Sequence, residues 1–324
     1  MRKILLFLTL LKVLSASNLP PCNLVDTYRK EGIGSLEKRL DNLLAKEEFW
    51  SSKIGDYNTT FGWYEKPIYI LSCKKSDKTL TLYHLNGNKI DTKIKIPIVV
   101  GKVNGDKQRQ GDLKTPIGVY KIVQQKRDVD PFYGPFAYVT NYPNPLDKSL
   151  GKNGNGIWLH GFPPNCPDKN YTKGCIASPN EDLLRLEKNL PEHKDALIMI
   201  AQEDMPTATK KDIVKLLTFI FDWRSDWKYN NLNEYLSKYS SDLKSSIGSF
   251  EKFKKHKTYI FSKQQKKEIL FYNIKITPYP NALGLKIWRI EMGEKYSSPS
   301  FKFVGKKLLY IKQDGDKFKI WREF

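Results

Sequence analysis

The stretch "GIWLHGFPPNCPDKNYTKGCIASPNED", residues 156–182, sets one His and two Cys among glycines and prolines. That composition packs poorly and suits a shaped loop. "GIWL" reads as a strand, and Ser178, with Glu181 three residues on, reads as a cap opening a helix. Between strand and helix, fourteen residues separate His160 from Cys175, enough for the chain to fold back. A cysteine attacks only as its thiolate, and a free thiol of pKa about 8.5 is mostly protonated at neutral pH, so a nucleophilic Cys175 needs a base or a nearby cation. His160 can be that base. Gly174 leaves room for a carbonyl beside the sulfur, and backbone N–H groups around Cys175 can face an oxyanion. Two other readings stand beside this one. Cys166 and Cys175, nine positions apart, can form a disulfide, or His160, Cys166 and Cys175 can bind zinc. Zinc lacks a CxxC or HxxxH spacing and a fourth ligand, so no metal is assigned. Composition does not separate the disulfide from the Cys/His pair.

Working outward, the text upstream is period-two: "PIYILSC", "TLTLYHL", Asn86-Gly87 as a type I′ hairpin turn, then "KIDTKIKIPIVVG". "TPIGVYKIV", "FAYVTNY" and "ALIMIAQ" add strands, giving a mainly β domain over residues 61–203. Residues 204–324 begin with Ile213, Leu216, Leu217, Ile220, Phe221 and Trp227 on one helix face and continue as four long alternating stretches. This predicts a helix-then-sheet, α+β domain. Residues 18–60 read as a helical segment, with Ser35 capping a short helix that carries Leu36, Leu40, Leu43 and Leu44. Its apolar stripe can pack on a domain or serve as a homodimer contact. The fold class is therefore α+β, of two domains behind a short helical element.

The 324 residues carry 55 Lys+Arg against 35 Asp+Glu, and residues 204–324 hold 25 against 13 of these. Such a bias favours an anionic partner. Residues 1–17, with MRK, an apolar run and Ser-Ala-Ser, read as a signal peptide, which places the mature chain outside the cytoplasm and excludes nucleic acid as the partner. The apolar run is too short to span a bilayer, so no stable membrane insertion is expected. Outside the cytoplasm an anionic partner can be a membrane face, an acidic glycan or the bacterial cell wall, whose stem peptides carry many carboxylates. Four cysteines, Cys22, Cys73, Cys166 and Cys175, are too few for a disulfide scaffold.

His160-Gly161 followed by Thr172-Lys173-Gly174-Cys175 resembles the catalytic motif of the L,D-transpeptidase (YkuD-type) family. The upstream Thr115, Pro116, Gly118 and Tyr120 resemble that family's "TP.G.Y" approach. Lys173 and Ala177 stand where many members carry His and then Arg or Asn, and "GCIASPNED" is similar to the YafK-type branch, which includes hydrolases. With a signal peptide and a tail resembling the nuclear transport factor two-like fold, the whole chain resembles the cell-shape L,D-carboxypeptidases of Helicobacter and Campylobacter relatives. The resemblance implies a peptidoglycan enzyme without cofactor that removes the terminal D-alanine of tetrapeptide stems. Cys175 would be the nucleophile and His160 the base, oriented by the Gly161 carbonyl. Gly174, Lys173, Thr172 and Lys114 would shape the oxyanion site or hold a substrate carboxylate. An amine in place of water would make a crosslinking transpeptidase instead, and a bridged Cys166–Cys175 would leave a wall-binding module.

Two further expectations concern the edges of this reading. Trp223, Trp227, Tyr229 and Tyr235 read as core before ligand platform, in a domain expected to position wall substrate and to be separable from catalysis. Asp56-Tyr57-Asn58-Thr59-Thr60 and Asp168-Lys169-Asn170-Tyr171-Thr172 fit an acidic glycosylation sequon at Asn58 and Asn170.

Overall fold

The computed structural model describes residues 22–163, 170–191 and 193–324. The signal peptide, Cys166 and Asp168 lie outside them. Two helices come first, α1 (Cys22–Leu44) and α2 (Glu47–Ile54). Helix α1 extends well upstream of the predicted start at Ser35, and its break falls at Gly32, where φ is +83°. Sequence periodicity missed the first arm because its apolar residues Val25 and Tyr28 remain exposed and form no buried stripe. The Arg39 guanidinium donates to the Thr27 hydroxyl across the break. Among the described residues no helix is long and apolar enough to cross a membrane.

Fifteen strands follow, in two sheets among the described residues. They are β1 (Trp63–Tyr64), β2 (Ile68–Lys74), β3 (Thr79–Asn86), β4 (Lys89–Pro97), β5 (Gly118–Lys126), β6 (Ala137–Thr140), β7 (Trp158–His160), β8 (Ile176–Ala177), β9 (Leu197–Ala201), β10 (Tyr239–Ser245), β11 (Gly248–Ser249), β12 (Glu268–Tyr279), β13 (Lys286–Ser298), β14 (Phe301–Asp314) and β15 (Lys317–Glu323). The first sheet runs β4-β3-β2-β9-β5-β6-β7-β8 and the second β1-β12-β13-β14-β15-β10-β11. Five more helices are interleaved: α3 (Pro145–Ser149), α4 (Asn180–Asn189), α5 (Lys210–Lys228), α6 (Leu232–Ser237) and α7 (Phe250–Ser262). Mixed α+β, mostly sheet, is the fold class expected from the pattern.

Local details differ in three places. The β3–β4 loop is Gly87-Asn88, with only Gly87 at positive φ (+61°), which is the chemistry of a II′ turn rather than the expected I′. Ser178 does not cap α4; its hydroxyl donates to the Pro97 carbonyl at 2.8 Å, and the N-cap position is Pro179. Helix α7 and strand β10, which pairs in parallel with β15, occupy a region where no pattern was assigned. The Lys-rich α7 buries only Phe253 and Phe261, too few for a visible stripe.

Helix α5 opens with a capping box between Thr209 and Asp212 and buries the predicted face, Ile213, Leu216, Leu217, Ile220 and Phe221, against the second sheet. The N-terminal element docks on α5: the Trp50 ring meets Phe221 tilted at 5.0 Å, and buried Asp41 takes Lys228 at 2.6 Å, the Tyr229 hydroxyl at 2.8 Å and the Arg224 guanidinium. The two sheets then share a third core. Ile68, Leu85, Val119 and Met199 of the first sheet pack with Tyr279, Ile287, Tyr310 and Trp321 of the second. Across this seam the Asn144 amide donates to the Tyr279 hydroxyl at 2.9 Å, and Glu291 pairs with Lys121 at 2.5 Å and with Arg289. The C-terminal domain is therefore joined to its neighbour by a shared apolar core.

Candidate active site

Strand β7 ends on His160, and β8 runs parallel to it with Leu159 opposite Ile176 and His160 opposite Ala177. Leu159 and Ile176 point into the first sheet's core and are fully buried, so His160 and Ala177 share the other face. Cys175 stands one residue ahead of β8. The loop of fourteen residues thus closes so that Cys175, just ahead of β8, lies beside the segment leading into β7, with Sγ 3.4 Å from the Gly156 carbonyl. His160 Nδ1 lies 2.6 Å from the Gly161 carbonyl oxygen. A carbonyl only accepts, so Nδ1 carries a proton and donates in this contact.

The turn that presents Cys175 is held from several sides. The Thr172 hydroxyl accepts from the Gly174 N–H at 3.0 Å and donates to the Cys175 carbonyl at 2.6 Å. Thr172 N–H donates to the Val100 carbonyl, and Val99 exchanges both backbone bonds with Ala177 at 2.7 and 2.9 Å. The fully buried Thr115 hydroxyl donates to the Gly174 carbonyl at 2.9 Å and accepts from the Gly101 N–H at 2.8 Å. Gly174 has φ +134°, and a Cβ there would stand 2.8 Å from the Lys114 carbonyl. The space that Gly174 leaves is therefore filled by Lys114, Ile157 and Lys107 of the protein itself.

Behind His160, the Asn180 side chain of α4 bonds both backbone groups of Phe162, accepting from its N–H at 2.8 Å and donating to its carbonyl at 3.1 Å. A Cβ on Gly161 would fall 2.1 Å from Asn180 Oδ1, so close approach requires glycine there. The Tyr133 ring meets His160 edge-on at 5.0 Å.

Cys175 carries a free thiol, partly exposed, whose Sγ lies 3.4 Å from the Gly156 carbonyl. Burial pushes this thiol up from its ordinary value, opposed by the Trp158 backbone N–H and the Lys107 ammonium. Cys73 is also free but fully buried, and burial pushes it up to about 12, which leaves it inert. Lys173 is exposed beside the turn. Lys114 sends its ammonium to Gly105, away from the Gly174 contact that its carbonyl makes. Among the described residues no group of three His, Cys, Asp or Glu is placed to hold a metal.

The sequence reading missed Lys107, Asp112 and Asn180. Nothing distinguishes Lys107 among 55 basic residues, whereas an Asn just inside a helix that follows a glycine-bounded loop is a local signal that was open to use. Of the C-terminal aromatics, Trp223 and Tyr235 are fully buried core, Tyr229 holds Asp41, and Trp227 lines a cavity of about 460 Å³. Asn58 and Asn170 are both exposed.

Comparison with known proteins agrees with this geometry. Residues 68–210 match the L,D-transpeptidase catalytic domain family (YkuD), and residues 215–324 match the Cds6 C-terminal NTF2-like domain. The helical cell shape determining protein Pgp2 of Campylobacter jejuni is 37% identical with a TM-score of 0.81, covering 87% of this chain and 100% of that one. Bd1075 of Bdellovibrio bacteriovorus, 24% identical with a TM-score of 0.66 over 83% of this chain and 96% of that one, shares the fold. The putative L,D-transpeptidase YafK of Escherichia coli is 32% identical over 119 residues, which span 36% of this chain and 44% of that protein. The chain belongs to the L,D-transpeptidase (YkuD-type) family, in the two-domain form with an NTF2-like C-terminal domain that it shares with Pgp2.

Proposed function

We propose that the protein is a periplasmic L,D-carboxypeptidase that trims tetrapeptide stems of peptidoglycan to tripeptides through a Cys175 acyl-enzyme and so affects cell shape. What supports this reading is the pairing of β7, which ends on His160, with β8, which begins one residue after Cys175, together with the Nδ1 contact of His160 to the Gly161 carbonyl. In the proposed reaction Nε2 takes the thiol proton as Sγ adds to the carbonyl carbon between diaminopimelate and D-alanine. The same proton passes to the D-alanine amine as that C–N bond breaks. Water, deprotonated by Nε2, then adds to the thioester and expels the thiolate. The Thr172 and Thr115 hydroxyls fix the turn against which the tetrahedral oxygen must fit. Exposed Lys173 is better placed than Lys114 to meet a substrate carboxylate, because the Lys114 ammonium lies at Gly105.

The C-terminal domain fits the role of holding wall material. Its cavity is lined by Trp227, Lys257, Tyr296 and Lys307, and the half-buried Lys257, whose ammonium lies 5.0 Å over the Trp227 ring, makes no ion pair among the described residues. Burial lowers the Lys257 ammonium to about 8, opposed by Glu323, so its charge suits a ligand carboxylate. Val25, Tyr28 and Ile33, exposed on α1, are the homodimer contact in this reading. The shared activity of the fold allows a crosslinking outcome when an amine replaces water. Incubating the protein with purified tetrapeptide muropeptide separates the alternatives: tripeptide plus free D-alanine supports the carboxypeptidase, dimers a transpeptidase, and unchanged substrate a binding module.

A further inference from the structure

Beneath the Cys175 turn lies a buried ion pair that neither the sequence motif nor the proposed chemistry uses. Lys107 is 3% exposed, and its Nζ sits 2.7 Å from Asp112 Oδ1. Its stem runs over Gly154, where an added Cβ would meet Cε at 2.8 Å, and its Nζ is 3.5 Å from where a Cβ on Gly174 would be. Gly154 and Gly174 thus both leave room for this one side chain. Its ammonium comes up under the residue preceding the nucleophile.

The partner does not cancel the charge. Asp112 Oδ2 accepts from the Gln108 N–H at 2.8 Å and the Arg109 N–H at 3.0 Å, and Oδ1 accepts from the Lys114 N–H at 3.1 Å as well as from Lys107. Burial alone would raise the Asp112 carboxyl, but Lys107 and these backbone donors hold it well below the usual carboxylate range. A carboxylate shared among four donors spends much of its field on the loop's own N–H groups, and the ammonium keeps a net positive field toward the turn. Among the described residues the other charges nearby are accounted for. His160 ends β7, the buried Lys75 ammonium donates to the Gly105 and Thr115 carbonyls at 2.6 and 2.9 Å, Lys173 is exposed, Lys114 points to Gly105, and Asp106 and Asp147 both bond Lys152, at 2.6 and 2.8 Å.

We propose that Lys107, held by Asp112, is a positioning residue whose fixed positive charge behind Gly174 stabilises the Cys175 thiolate against the cost of its burial. The inference rests on Cys175 being the nucleophile, and it adds a second source of activation besides His160. The direction agrees with the lowering influence of Lys107 on the thiol. An aliphatic stem with no charge would pack as well and leave the thiolate without this support.

The test is the rate at which iodoacetamide alkylates the Cys175 peptide, read by mass spectrometry across about pH 5 to 10 on the folded chain. Lys107→Met should raise the midpoint by about one pH unit, a tenfold loss of thiolate at fixed pH equal to about 1.4 kcal/mol. Lys107→Arg should stay near wild type. Asp112→Asn should move the midpoint down, because it frees more of the ammonium's field. A Lys107→Met midpoint equal to wild type, in protein with a cooperative melt, overturns the proposal. So does a rise in both Lys107→Met and Asp112→Asn, which marks general loosening of the loop. Should Lys107→Met fail to fold, Asp112→Asn decides alone: a fall supports the proposal, and no change or a rise overturns it. A wild-type Cys175 that resists alkylation at every pH sinks the nucleophile reading itself, which is a different failure.

Discussion

Replacing Thr115 by Val tests how the nucleophile's turn is held, because the change keeps shape and removes only the hydroxyl's hydrogen bonding. The hydroxyl is completely buried, accepts from the Gly101 N–H at 2.8 Å and donates to the Gly174 carbonyl at 2.9 Å. Valine leaves one donor and one acceptor unpaired, each costing about 1–3 kcal/mol, and partial relaxation puts the sum at about 2–4 kcal/mol. At about 2–4 °C per kcal/mol for domains of 150–250 residues, the thermal midpoint should fall by about 4–16 °C. Thr115→Ser, which keeps the hydroxyl, should lose less than half as much. The assay is paired calorimetry and Cys175 alkylation at fixed pH. Because the Gly174 carbonyl is the atom released, alkylation should change together with stability. A Thr115→Val melt within about 2 °C of wild type, with unaltered alkylation, refutes the clamp.

Two further predictions concern the seam between the domains. Burial alone would raise the Glu291 carboxyl, but Arg289 and Lys121 outweigh it and pull it to about 2. A depressed carboxyl contributes stability that is present above its unfolded value near 4.5 and is lost as pH falls from there toward about 2. Thermal midpoints should therefore drop over that window in wild type, and less steeply in Glu291→Gln, which already lacks the charge; equal slopes refute the assignment. Removing residues 206–324 uncovers Ile68, Leu85, Val119 and Met199 of the shared core, so the remaining fragment should aggregate or melt far below the full chain. A fragment with the full chain's midpoint contradicts this.

Much of the fold was legible because its signals are local. Alternating strands, the apolar face of α5 and the glycine-bounded His160–Cys175 loop all appear within short windows. What escaped depends on contacts across the chain. Ser178 looked like a cap but is drawn to the Pro97 carbonyl by the register of the sheet, and Asn180 ties α4 to Phe162 instead. Lys107 becomes a feature of the site only when the loop after Gly101 folds under Gly174. The first arm of α1 has no stripe to read because its apolar residues Val25 and Tyr28 stay exposed. The β1 pairing of Trp63 with Ile276, which brings the segment after α2 into the sheet of residues 204–324, has no sequence signature at all.

The most direct measurement is turnover of purified tetrapeptide muropeptide by Cys175→Ala beside wild type, followed by mass spectrometry of stems and free D-alanine. Wild type should release D-alanine and leave tripeptide, and the variant, with a wild-type melt, should show no release above the uncatalysed background. Release by Cys175→Ala at the wild-type rate would mean that the bond is broken by some other group, and the thiol–imidazole chemistry assigned to β7 and β8 would be wrong.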